Sequence, residues 1–146
     1  MKIVLQRVKH ASVAVQGQIV GEIEQGLLIL LGITHDDNKA NADQLVKKIV
    51  NLRVFNDSDN KMNLSIADIR GSFLVISQFT LYANCKKGNR PSYIEAAHPE
   101  IAKPLYEYFI ENLKVLSKLA VEQGVFGAMM DIEFINDGPV TIIINS

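Results

Sequence analysis

The chain has 146 residues, 48% of them apolar, and a formal charge of -1 at pH 7. That length suits one domain with a real core, and the charge excludes a protein that coats long stretches of nucleic acid, which would carry a strong basic excess. It leaves room for one that grips the end of an RNA through a few local cations. A single cysteine, Cys85, excludes an internal disulfide. The longest apolar run, Leu27 to Ile33, is far shorter than the ~20 residues needed to cross a bilayer. No charged segment leading into an apolar stretch opens the chain, so no signal peptide is expected. These features predict one soluble, cytoplasmic domain over residues 1–146 with no membrane partner.

The first third reads as strand. Met1 to Val8 is followed by Ala11–Val15, in which Ala11, Val13 and Val15 alternate with Ser12 and Ala14. Gln16-Gly17-Gln18 supplies a turn, and Ile19–Ile23 returns as a hairpin partner. Leu27–Ile33 is apolar on both faces and predicts a buried central strand. From Asp37 the period becomes helical: Ala42, Leu45, Val46, Ile49 and Leu52 share one face, with Lys47, Lys48 and Asn51 opposite. Asp36, Asp37 or Asn38 would cap that helix. Asn56–Asn60 is a polar loop in which Asn60 suits positive φ.

An apolar strand from Gly71 then ends on Ser77, Gln78, Phe79 and Thr80. A polar loop, Asn84–Ser92, leads into a long helix with Ile101, Leu105, Phe109, Leu113, Leu116 and Ala120 as its buried stripe. Pro104 is expected near the start of that helix and Gly124 at its stop. Two last strands, Met130–Ile135 and Val140–Ile144, flank an Asp137-Gly138-Pro139 turn. The element order predicts an α+β fold: a mostly antiparallel, barrel-like β-sheet with two main helices.

Three segments carry candidate chemistry. In Ser77-Gln78-Phe79-Thr80, strand alternation would set Ser77 and Phe79 on one side and Gln78 and Thr80 on the other. Hydroxyls and backbone N–H groups there could bind a carbonyl as it becomes an oxyanion. Taken alone, the ordinary reading outweighs this: a strand end whose polar groups satisfy loop backbone. A Thr80 nucleophile would need a base in reach, and His10, His35 and His98 form no triad motif. Catalytic-zinc spacings are absent, so neither a metal nor a cofactor is expected. Gly138-Pro139 fits a hairpin turn, and Lys86, Lys87 and Arg90 around Gly88 fit either a solvated loop or a phosphate contact. Cys85 reads as a buried or half-buried filler.

These segments, with Arg7-Val8, Ala11–Val13, Leu52–Phe55, Lys61–Asn63, Phe126–Ala128 and Asn136–Thr141 in the same order, resemble the D-aminoacyl-tRNA deacylases along essentially the whole chain. The resemblance implies hydrolysis of the ester joining a D-amino acid, or glycine, to the 3′ adenosine of tRNA. It also implies a homodimer in which Gly138, Pro139, Val140 and Thr141 enter the partner's pocket, with a cis Gly-Pro bond whose carbonyls face the substrate amine. Ser77, Gln78, Phe79 and Thr80 would be the catalytic strand end, with Gln78 and Phe79 N–H groups on the oxyanion. Thr80 would orient substrate or water, and Lys86, Lys87 and Arg90 would touch tRNA phosphates. Met129, where relatives carry a polar residue, implies a more apolar rim, and Asn60 replaces a usual glycine. A binding module without turnover, and a hydroxyl-nucleophile esterase, remain as alternatives at this level.

Overall fold

The computed structural model describes residues 1–146. In chain order the strands are β1 (Lys2–Val15), β2 (Gln18–Ile23) and β3 (Gly26–Gly32), then helix α1 (Lys39–Val50) and the short strands β4 (Phe55–Asn56) and β5 (Met62–Leu64). After β6 (Ser72–Ser77) comes one 3-10 turn, Phe79–Tyr82, followed by α2 (Pro99–Ser117), β7 (Val121–Gln123) and β8 (Asp131–Asn145).

Strand β1 organises the sheet because it is long enough to serve three partners. Its first half pairs with β3 from Lys2 to Val8, its second half with β2 from Ala11 to Val15, and its other edge carries β8 from end to end. All three pairings are antiparallel. The β3–β6 and β6–β7 pairings are parallel, so the six-stranded sheet is mixed. The cause is connectivity: β3 reaches β6 through α1, and β6 reaches β7 through α2, and a crossover helix returns the chain in the same direction. The helix-spanned connections were visible in the sequence; their consequence for strand direction was not drawn from it. Gly26 is required where β3 meets β6, because a Cβ there would lie 1.9 Å from the Ser72 carbonyl oxygen.

One sheet face packs on both helices. Ile3, Leu5, Leu27, Ile29, Phe73 and Val75 meet Leu45 and Ile49 of α1 and Phe109 and Leu113 of α2, all buried. Removing a ring such as Phe109 would cost about 3–5 kcal/mol. The other face forms a smaller cluster around Val8, Val13, Leu28, Leu74 and Ile76. Helix α1 is capped by Asn38, whose side chain accepts from Ala40 N–H at 2.9 Å while Asn41 accepts from Asn38 N–H at 3.0 Å. Asn60 adopts φ 60 as expected.

Helix α2 differs from the sequence reading in phase and length. Its buried face is Ala102, Tyr106, Phe109, Ile110 and Leu113, while Ile101 and Leu116 are exposed and Ala120 lies beyond its end. Tyr106 sets this phase, since its hydroxyl donates to the buried Val75 carbonyl at 2.8 Å. Lys118 in the left-handed region (φ 56) ends the helix, not Gly124, and the first-turn proline is Pro99, with Pro104 further inside. The chain between Lys118 and Gly124 holds β7, which the sequence reading lacks.

The two expected C-terminal strands are one, β8, and the Gly-Pro segment is not a hairpin turn. Both halves of β8 run along the same partner, β1.

Candidate active site

The apolar core of β6 stops at Ser77, and the chain tightens into the 3-10 turn, so strand alternation does not extend through Thr80. Instead Gln78 and Thr80 are joined, the Gln78 side-chain amide donating to the Thr80 hydroxyl oxygen. Gln78 N–H is already used, donating to the Leu31 carbonyl at 2.8 Å, which corrects its expected place on an oxyanion. The N–H groups of Phe79 and Thr80, in the first turn, have no carbonyl partner, as the first N–H groups of a helix generally do not.

These residues line a cleft of about 830 Å³. Its second wall is Ala97, His98 and Pro99 at the start of α2, and its third is Phe126 to Met130. The Phe79 ring stands half in solvent against Tyr93, centroids 5.1 Å apart at 72°. Met129 is 91% exposed, which makes this rim apolar. The only side chain bonded to the Thr80 hydroxyl is the Gln78 amide, which cannot take a proton. Tyr82, at the end of the turn, is pushed up to about 12 by burial, with the charges of Asp37 and Glu95 adding to it. It is therefore neutral at physiological pH and no base. The wall can bind and polarise a carbonyl through fixed N–H groups; it has no activated side-chain nucleophile.

The second candidate segment is built differently. Between the pairs Gln6–Thr141 and Val8–Asn136 the register breaks, and Arg7 alone faces Asp137 to Val140. The surplus residues bulge outward. Asn136 clasps the bulge at its base, its side-chain oxygen accepting from Val140 N–H at 3.0 Å and its amide donating to the Thr141 hydroxyl at 3.2 Å. Gln6 donates to the same hydroxyl at 3.3 Å. Arg7 props it from beneath. Its Nε donates to the Asp137 carbonyl at 3.1 Å and lies 3.1 Å from the Asp137 carboxylate, while Nη1 donates to the Val54 carbonyl at 2.6 Å and to Asn56 Oδ1 at 3.2 Å. The Gly138-Pro139 peptide is cis, and Gly138 has φ 127. A Cβ on Gly138 would lie 2.8 Å from Val140 Cγ2 and 3.0 Å from Arg7 Nη2.

Within one chain the two segments are apart. None of Gly138, Pro139, Val140 and Thr141 lines the cleft. From Ile132, which does, about 20 Å of extended strand leads to Gly138. Lys86, Lys87 and Arg90 lie outside the cleft on an exposed loop, which is clasped at its ends by Asn84 N–H to the Ser92 carbonyl (2.8 Å) and the reverse (2.9 Å). Gly88 at φ 65 has open space around it. Cys85 is exposed on this loop, not buried as expected. Two residues missing from the expected site list matter most to its geometry, Arg7 and Asn136. Arg7 is 6% exposed once folded, and no local pattern marks it, since Lys2 and Gln6 are also polar in this strand half.

The family model for D-Tyr-tRNA(Tyr) deacylase matches residues 4–145. A protein of Thermosipho africanus named D-aminoacyl-tRNA deacylase is 55% identical over 146 residues, covering 100% of this chain and 97% of its own length. One of the same name from Fusobacterium nucleatum is 56% identical over 146 residues, covering 100% and 96%. A solved structure of a c-Myc DNA Unwinding Element Binding Protein superposes with a TM-score of 0.93 at 41% identity, covering 100% of this chain and 99% of that one. A probable eukaryotic D-amino acid tRNA deacylase superposes with a TM-score of 0.88 at 14% identity, covering 99% and 98%, and so shares the fold.

Proposed function

The chain belongs to the D-Tyr-tRNA(Tyr) deacylase family and is a hydrolase of the D-aminoacyl-tRNA ester; on that premise we propose that the 3-10 turn is its catalytic wall and the Gly138 bulge its chiral filter. The observation that carries the reading is that Phe79 and Thr80, whose N–H groups have no carbonyl partner, line the cleft inside a family match that spans residues 4–145.

Water adds to the ester carbonyl, the bond to the ribose 3′ oxygen breaks, and a D-amino acid and free tRNA leave. The negative charge on the carbonyl oxygen is met by Phe79 and Thr80 N–H. Each such donor is worth about 3–4 kcal/mol when lost. The Thr80 hydroxyl, held by Gln78, orients substrate or water, and the terminal ribose 2′-OH positions the attacking water. Lys86, Lys87 and Arg90 contact phosphates near the mouth.

The bulge cannot reach the cleft of its own chain, so it acts in the cleft of a second copy. Exposed Ile135 and Ile143 on β8 support such a homodimer, since they need cover. Gly138 and Pro139 carbonyls fix the substrate ammonium, and Val140 and Thr141 hold the loop. With ammonium and ester both fixed, an L side chain runs into the rigid bulge while a D side chain points to solvent. Glycine, lacking a side chain, is accepted as well. The function is chiral proofreading in translation, in the cytoplasm.

Deacylation of D-Tyr-tRNA and L-Tyr-tRNA by the purified protein is the test. Release from the D form alone is expected. Equal release from both would refute the filter, and release from neither, with folded protein, would refute the catalytic assignment.

A further inference from the structure

A second groove, of about 680 Å³, runs along the C-terminal half of α1 between that helix and the end of β8. Among its lining residues are Lys47, Lys48 and Arg53, with Gln44, Asn51 and Asn145 as neutral polar partners and no carboxylate. The three cations are exposed, and none of the ion pairs in the molecule uses them. Asp68 senses the charge of Arg53 from outside the groove without pairing to it. Two lysines at a helix C-terminus ordinarily offset the partial negative charge of its last carbonyls. Here Arg53 adds a third cation beyond the end of the helix, so positive charge remains in excess. A chain of net charge -1 thus gathers unpaired cations in one concave place.

The position of the groove is as informative as its charge. Helix α1 starts just past the Thr34–Ala96 bridge beside the cleft and is 12 residues long, so it carries the chain about 18 Å away. Arg53 is next in sequence to Val54, whose carbonyl takes the 2.6 Å bond from Arg7, and Arg7 lies under Gly138. The Arg53 end of the groove therefore adjoins the Gly138 bulge, while its Ile144 and Asn145 end lies, across Ile3 and Lys2 of β1, two strands from Leu31 and Gly32 at the cleft.

We propose that the groove of Lys47, Lys48 and Arg53 binds the phosphate backbone of the tRNA whose 3′ end lies in the partner subunit's cleft. The placement rests on the cross-subunit reading above: where the bulge of one chain enters the cleft of the other, this groove comes with it. Unpaired nucleotides at a tRNA 3′ end can span the interval before paired backbone begins. The cleft would recognise the amino acid and terminal nucleoside, and the groove would supply affinity that is independent of base identity.

The test is the triple charge reversal K47E/K48E/R53E, measured for binding of uncharged tRNA across a salt series and for hydrolysis of a D-tyrosyl ester of adenosine. The expected result is tRNA affinity lower by about tenfold or more and a log–log salt slope shallower by about 2 to 3, with hydrolysis of the short ester unchanged. Unchanged tRNA affinity and slope would overturn the proposal and leave the groove to an acidic protein partner. Equal losses on tRNA and short ester would overturn it too, since the damage would lie in the cleft. A wild-type protein that hydrolyses neither D ester would instead refute the catalytic reading, while binding of uncharged tRNA still decides the groove. In mixed dimers with one cleft blocked by Ala97→Trp, reversal in the blocked subunit should lower the rate on D-Tyr-tRNA. An effect only from reversal in the open-cleft subunit would overturn the cross-subunit placement.

Discussion

Replacing Arg7 by methionine keeps the volume of the side chain and removes its donors. Four acceptors lose a partner: the carbonyls of Val54 and Asp137, Asn56 Oδ1 and the Asp137 carboxylate. The two side-chain groups can turn to water, since the Asp137 side chain is already 26% exposed and Asn56 is exposed. The two carbonyls cannot turn so freely. At about 1–3 kcal/mol for each buried acceptor left unpaired, the loss is about 2–6 kcal/mol, which a domain in the middle of the ordinary range of about 5–15 kcal/mol survives. Urea unfolding should show a lower midpoint at unchanged slope. Well below that midpoint the cleft is intact, so any change in deacylation reports the bulge. D-Tyr-tRNA hydrolysis should fall at least about tenfold, and the D-over-L preference with it. Arg7→Lys should not restore either, because one ammonium cannot serve acceptors on both sides of a planar fork. A methionine variant with the wild-type midpoint, or with full D-selective turnover, would refute the claim that Arg7 sets the bulge.

Thr80→Ala should retain hydrolysis within about tenfold, because the N–H donor at residue 80 survives and no base serves the hydroxyl; single-turnover rates on D-Tyr-tRNA check this, and a folded but dead variant contradicts it. Gly138→Ala places a Cβ 2.8 Å from Val140 Cγ2 at φ 127, so it should destabilise by about 1–3 kcal/mol and lose D-selective turnover, read by thermal melting and the paired D/L assay. His10 is raised above its ordinary 6.5 first by the hydrogen bond to Glu22, then by the charges of Glu22, Glu24 and Glu133. In a proton NMR titration Glu22→Gln should bring it back down. The sign follows: a raised folded-state value stabilises at low pH and that contribution fades as pH climbs through it.

Local pattern carried most of the secondary structure. Alternation placed the second half of β1, the Gln16-Gly17-Gln18 turn placed β2 as its hairpin partner, a doubly apolar run placed β3, and the 3.6-residue period placed α1 with its cap. What escaped were features decided by partners distant in sequence. The phase of α2 hangs on Tyr106 finding the Val75 carbonyl. Strand β7 has three residues and owes its existence to the free edge of β6. The Gly138 segment reads as a hairpin turn because a glycine-proline pair between two apolar runs is the local signature of one. Only the pairing of both runs with β1 turns it into a bulge. The site motifs were legible as words; Gln78 N–H illustrates the limit, since its engagement by Leu31 depends on a parallel neighbour that no local window reveals.

The separation of cleft and bulge gives the fold a division of labour. The proposed catalytic wall is made where a buried parallel strand runs out, β6 being paired with β3 as far as Ser77 and with β7 as far as Val75. The bulge is made where an antiparallel ladder is broken, and it would be loose without Arg7 and Asn136. Each is rigid for a different reason: one inherits order from the core, the other has a buried guanidinium and an amide clasp. A filter that rejects by shape must not yield, since a small outward shift of the carbonyls would admit the wrong enantiomer. If the bulge is the proposed filter, that requirement would account for an arginine buried beneath an exposed loop, where desolvation makes it costly and a hydrophobic residue would have served the sheet as well.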